Sequence, residues 1–428
     1  MKASNLLIAS TALATGAVLA CNGLGGGSFS CPTQQAAYED ASSQEGILLE
    51  EIPGDGPYPM AMVISQDGVN RLLASVLDQT LPPIKQNLAQ GVSYTAKPEL
   101  PAISFETFDD CANCVRASMA FDLGVELFGV KVDDGRGAVT VRVPIELAAK
   151  GNSSTALLAH LEEAVVEDID LQIAGLDSNN FNIVEDALID ETRNYIRSEF
   201  GMTEVVSLDS WAIGDGDVLL AARGPIIDTT NRTILLGMHS NLNLPMATTL
   251  AQQSQLPEGV PMSLQFHPNL LLSMGQRLMT EGHIARDYDE SGNTKSDGDH
   301  HVSLMQMSTA DGGKLNTDFR IWRTSGGLCG FADVTSALGL QVTDSSVHVQ
   351  AEDLQVSGGE GSGSFIAENQ WLVSDFMQSF TEQIEFTVNY KEVSTESDTE
   401  TVQPEATLVE VDGRGVTVYL DLGLGGGE

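Results

Sequence analysis

Few side chains in this sequence stand at spacings that do chemistry. The tightest pair is Cys111-Ala-Asn-Cys114. Two thiols so placed can be half a zinc site, a redox couple or a disulfide. A tetrahedral zinc site needs two more good ligands, and there is no second Cys-x-x-Cys. A redox couple opens a helix after a strand, whereas this pair precedes a strand pattern. The expectation is a Cys111–Cys114 disulfide, with Cys31 and Cys329 left unassigned. A second constellation, Asp287-Tyr-Asp289-Glu-Ser291-Gly292-Asn293, opens like a calcium loop, with oxygens at alternate positions and glycine at the sixth. Asp287, Asp289, Ser291, Asn293 and Asp299 are its candidate ligands. Position twelve is Gly298 where a bidentate glutamate belongs, so a solvated acidic loop is the alternative.

The remaining signals argue against catalysis. His300 and His301 are adjacent, would point to opposite faces of a strand, and are read as surface residues. His160, His239, His267, His283 and His348 have no local motif partner. There is no His-Glu-x-x-His and no Gly-x-Ser-x-Gly. Gly358 to Gly363 lacks the Lys-Ser/Thr of a phosphate loop and reads as a flexible turn. An enzyme is not expected, and calcium is the one cofactor the sequence raises. The chain carries 60 acidic against 21 basic residues, a net charge of -39, which repels nucleic acid and anionic headgroups. Such a surface suits a saline habitat or divalent cations.

The N-terminus reads as an address. Met1-Lys2 precedes an apolar run, Leu6 to Leu19, too short to span a bilayer and placed where a secretory signal sits. Val18-Leu19-Ala20-Cys21 resembles the lipobox of bacterial lipoproteins, in which the cysteine is lipidated and becomes the first residue. By that resemblance Asn22, which is not an aspartate, favours the outer membrane of a Gram-negative bacterium. An ordinary signal peptide cut nearby is the alternative. Residues 1–20 are then the signal, and 21–46, rich in Gly, Ser and Gln, a flexible tether.

The elements that position everything else begin with a long hairpin. Odd positions from Val115 to Leu127 read Val115, Ala117, Met119, Phe121, Leu123, Val125 and Leu127, against Arg116, Ser118, Asp122 and Glu126 between them. That period of two predicts a strand. Asp133-Asp134-Gly135-Arg136-Gly137 reads as the turn, and Val139 to Leu147 as the return, a hairpin of long strands roughly 40 Å end to end at about 3.3 Å per residue. Upstream, Pro59 to Ile64 is a strand, and Val69, Leu72, Leu73, Val76 and Leu77 have helical spacing, with Ser65 or Asp67 as the cap. Further strands are expected over Pro101–Phe108, His160–Ile173, Gly216–Ala222 and Arg232–Met238, and a second helix over Phe181–Phe200, including Leu188.

The pattern then repeats. Shifted by 202 residues, Pro59, Met60, Met62, Ile64, Val69, Leu72, Val76 and Leu77 fall on Pro261, Met262, Leu264, Phe266, Leu271, Met274, Leu278 and Met279. Four strands follow between Val302 and Val356, then a helix with Trp371, Phe376 and Phe380, then a strand through Val416 to Leu422. Equal order in both parts implies duplication of one unit. The boundaries are 47–240 and 259–424, joined by a linker at 241–258.

Met62-Val63-Ile64-Ser65-Gln66-Asp67-Gly68-Val69 resembles the opening of the bactericidal/permeability-increasing protein family of lipid-transfer proteins, within the tubular lipid-binding (TULIP) superfamily. The passage from Glu162 through Ile173 into the Phe181–Phe200 helix is similar to that family's strand leading into its last helix. The resemblance implies an α+β fold of two tandem tubular domains, each a long curved antiparallel sheet wrapped around a long helix with a second helix alongside. It also implies an apolar slot for acyl chains of phospholipid or another lipid. Its expected lining is Val69, Leu72, Leu73, Val76, Met119, Phe121, Leu123, Leu188, Leu271, Met274, Leu278, Phe376 and Phe380. Each of these is equally readable as core. Two features depart from the family: the Phe181–Phe200 segment has no cysteine to staple it, and the acidic surface does not suit recognition of lipopolysaccharide phosphates. The expected function is lipid binding or transfer by a membrane-anchored lipoprotein. The alternative is a structural or interaction module with packed lobes and an acidic, calcium-binding face.

Overall fold

The computed structural model describes residues 30–53, 58–76, 83–88, 92–127, 130–150, 154–173, 202–209, 211–213, 218–244, 250, 254–289, 293–325, 329–343, 346–361 and 403–423. Within them the chain is mostly antiparallel strand, in three sheets.

The central sheet takes strands from both sides of residues 241–258. Strands β1 (Met60–Ser65) and β13 (Met262–Phe266) pair antiparallel at its middle. Outward from β1 lie β12 (Thr233–Ser240), β11 (Val218–Asp228) and β10 (Trp211–Ile213). Outward from β13 lie β20 (Gly415–Gly423) and β19 (Gln403–Asp412). Met60, Met62 and Ile64 enter the main core, while Ala61 and Val63 pack with Leu235 and Leu250 on the opposite face. Burial on both faces explains why β1 reads as an unbroken apolar run.

The first half supplies an eight-stranded sheet. Its path is β2 (Ile84–Leu88), β3 (Val92–Pro98), β5 (Cys114–Leu127), β6 (Val130–Lys150), β7 (Ser154–His160) and β9 (Met202–Asp209). The short β4 (Ala102–Ser104) pairs with β5, and β8 (Val165–Ile173) with β6. At 21 residues, β6 is long enough to pair with β8 along one stretch and β7 along the next. The second half supplies a five-stranded meander: β14 (Asp287–Tyr288), β15 (His300–Ala310), β16 (Lys314–Arg323), β17 (Gly330–Thr343) and β18 (Ser346–Gly361).

The helices are short. They are α1 (Cys31–Ser43), α2 (Gln66–Val76) and α3 (Pro268–Glu281), of 13, 11 and 14 residues. This overturns the expected fold class, in which each sheet wraps a long helix. At about 1.5 Å per residue these helices reach roughly 16–21 Å, whereas a strand of β6's length runs roughly 70 Å. No helix among the described residues can line such a sheet along its length. The helix ends are local: Ser65 Oγ accepts from the Gly68 N–H at 2.9 Å at the start of α2. Pro268 opens α3, and Gly282 ends it with φ +83°. The helices expected over Phe181–Phe200 and Trp371–Ile384 lie outside the described residues.

Three further expectations change. Asp133 to Gly137 is not a turn but part of β6, with Gly137 opposite Phe121 and Val139 opposite Met119. A Cβ on Gly137 would lie 2.4 Å from the Phe121 ring, so the glycine is there for close approach. The stretch Gly358–Gly361 closes β18 and pairs with β17. The segment read as a tether contains α1, which is tied to the second half by a Cys31–Cys329 disulfide.

Candidate functional site

Val69, Leu72, Met119, Phe121, Leu271, Met274 and Leu278 lie in or against one continuous core that runs through both halves. Helix α2 is latched onto the first half by two polar side chains that periodicity does not reveal. Asn70 Nδ2 donates to the Ile103 carbonyl at 3.0 Å, and Asn70 Oδ1 accepts from the Ile103 N–H at 2.6 Å. Gln66 Oε1 accepts from the Phe105 N–H at 3.0 Å. These bonds turn Val69 and Leu72 onto the core, where both stay half-buried. Gly68 lets the helix touch the second half, because a Cβ there would sit 2.4 Å from the Pro261 carbonyl oxygen.

Met119 and Phe121, on the odd-numbered face of β5, are likewise half-buried against the core, whereas Leu123 is only 1% exposed. In α3, Met274 is buried at 2% exposure, and Leu271 and Leu278 are half-buried. Gln276 Nε2 donates to the Leu304 carbonyl at 2.8 Å and sets this helix against β15. Leu73 is half-buried on α2. The Val76 side chain, Leu188, Phe376 and Phe380 lie outside the described residues.

The acidic loop turns its carboxylates toward protein partners. Asp287 bonds His301 Nδ1 at 2.7 Å, and Asp289 accepts from the Asn293 N–H at 2.9 Å. Asp299 accepts from the Ser325 hydroxyl. Ser291 lies outside the described residues. Position twelve is closed to any side chain: a Cβ on Gly298 would lie 2.1 Å from the Tyr288 carbonyl oxygen.

His300 and His301 are buried rather than surface residues. Tyr38 of α1 stacks on His301 with ring centroids 4.3 Å apart, and Trp322 lies beyond it at 6.3 Å from Tyr38. Glu45, just past α1, pairs with Arg286 at 2.5 Å, both largely buried. Burial pushes the Glu45 carboxyl up against the pull of Arg286. This cluster escaped sequence reading because Cys31 and Cys329 are 298 residues apart.

The Cys111–Cys114 disulfide forms as expected. Nearby in sequence and across the β5–β6 pair, the Arg116 and Arg142 guanidinium groups lie 5.6 and 5.3 Å from the Phe108 ring. His160 has partners the sequence did not show: Nδ1 lies 3.0 Å from Glu162 and Nε2 3.0 Å from Glu146. The bond to Glu162 holds the imidazole above its usual range. Ligand atoms of His160, Glu162 and Glu163 lie within 4.8 Å of one another, a spacing compatible with a divalent cation, but both ring nitrogens are already engaged by carboxylates.

No family model and no curated protein sequence matches this chain. Among solved structures it is similar to P47 of Clostridium botulinum E1, at 11% identity and TM-score 0.44, covering 87% of this chain and all of that one. It is also similar to P47 from Clostridium botulinum A2, at 10% identity and TM-score 0.41, over 85% and 97% of the two chains. A third likeness is to lipopolysaccharide binding protein, at 11% identity and TM-score 0.34, over 86% and 98%.

Proposed function

We propose that this chain is a lipid-binding or lipid-transfer lipoprotein, lipidated at Cys21 and held at the outer membrane of a Gram-negative bacterium. It would carry out no covalent chemistry. The observation behind this reading is a set of large apolar side chains on α2, α3 and β5 that stay half-buried against the shared core. They are Val69, Leu72, Met119 and Phe121 in the first half, with Leu271 and Leu278 in the second. Side chains packed on one side and still partly open on the other can accept an acyl chain without dismantling the core beneath. Each methylene taken from water contributes about 0.8 kcal/mol, so one or two acyl chains suffice for tight binding. Methionine at position 119 suits varied apolar partners, because its side chain is flexible.

A second reading, a packed structural or interaction module, is favoured by Leu123 and Met274, which are fully core. Solvent extraction of the purified protein discriminates the two. The lipid reading expects phospholipid or fatty acid at a fixed ratio to protein. Extracts with no lipid from either the secreted or the anchored form favour the packed module.

A further inference from the structure

The acylated cysteine proposed above stands ten residues before Cys31, and Cys31 is the first residue of α1. Helix α1 does not dangle. The Cys31–Cys329 disulfide binds its start, Tyr38 stacks on His301 in its middle, and Glu45 pairs with Arg286 just past its end. At Gly46 the chain packs so closely that a Cβ would lie 2.7 Å from the Arg277 backbone.

We infer that α1 shortens the membrane leash and fixes which end of the second half faces the bilayer. This rests on the reading of Cys21 as lipidated. From Cys21 to Cys31 the chain can span at most about 35 Å. Were α1 loose, the first residue held by the fold would be Ile47, whose carbonyl accepts from the Asn243 N–H at 2.8 Å. The leash could then reach at most about 90 Å. The docked helix therefore brings the region around Cys329 to the phospholipid headgroups. That region includes Asp299, whose carbonyl accepts from the Thr324 N–H at 3.2 Å, and the exposed turn through Lys295 and Asp297.

The turn is acidic, so the surface it meets is a zwitterionic headgroup layer, with the leash rather than charge holding it there.

The test places a fluorophore at the exposed position 295, through Lys295→p-azidophenylalanine, in the full lipidated chain. The vesicles are phosphatidylethanolamine and phosphatidylcholine with a headgroup acceptor dye. A Gly/Ser insert of about twenty residues between Phe29 and Ser30 raises the maximum reach of the leash about threefold and should lower energy transfer. The same insert between Gly46 and Ile47 lies behind the docked helix and should leave transfer at its original value. Equal loss from both inserts, or no loss from either while the protein still floats with vesicles, overturns the inference. Failure to float, with Cys21 unacylated by mass spectrometry, instead overturns the anchoring reading on which it rests.

Discussion

Met62 lies directly opposite Leu264 across the β1–β13 ladder. The 202-residue repeat also equates these two residues. The equivalent positions of the duplicated unit therefore meet where the halves join, as a two-fold relation requires, with residues on either side exchanging partners: Met60 faces Phe266 and Ile64 faces Met262. The duplicated strands are thus the seam of one sheet, and both halves share a core.

Shared burial predicts shared unfolding. Leu264→Ala should cost about 2–5 kcal/mol, the range for a buried leucine truncated to alanine. Denaturant melts followed by tryptophan fluorescence and by far-ultraviolet dichroism should shift together. Two separated transitions, one at the original midpoint, would show that the halves fold independently.

The Phe121–Gly137 contact predicts a strong pairwise coupling. Gly137→Val should destabilise by about 1–3 kcal/mol, because the new side chain meets the aromatic ring. Adding Phe121→Ala should recover part of that loss in a double-mutant cycle. Strictly additive effects would mean the two strands are not in this register.

Asp228 predicts an acid-side effect. A hydrogen bond from Ser254, with others from the Asn231 and Thr230 amides, holds its carboxyl below the ordinary value of 3.8. Its stabilising contribution is therefore full above that value and is lost as pH falls through the lowered folded value. Asp228→Asn should melt lower than the parent at pH 7, with the gap narrowing towards pH 2. A gap independent of pH would assign the loss to packing.

Calcium calorimetry on the folded protein should show no saturable heat that Asp289→Ala removes, because Gly298 leaves no room for a twelfth-position ligand and Asp287 and Asp289 already have protein partners. A saturable heat abolished by Asp289→Ala would restore the calcium loop.

Local signals in the sequence were legible where local forces decide. The alternation from Val115 to Leu127 became β5, Ser65 capped α2, and the helical spacing around Leu271 became α3. What misled was tertiary override. Asp133 to Gly137 has the composition of a turn, yet Phe121 packs over Gly137 and extends the strand through it. His300 and His301 are polar and adjacent, yet both are buried, and a distant disulfide brings Tyr38 of α1 onto His301. Apolar spacing revealed helix faces without their lengths, so the long wrapped helix came from resemblance and did not survive. Of the candidate lining, sequence order could not separate Leu123 and Met274, which are core, from Met119, Phe121 and Leu271, which remain half-open.

Native mass spectrometry of delipidated protein, titrated with phospholipid and fatty acid, tests the lipid proposal most directly. Saturable uptake at fixed stoichiometry is expected, reduced by Leu72→Asp or Phe121→Asp in variants whose melting midpoints show them folded. A folded parent chain that takes up neither lipid, or takes up equal amounts in parent and folded variants, would contradict it.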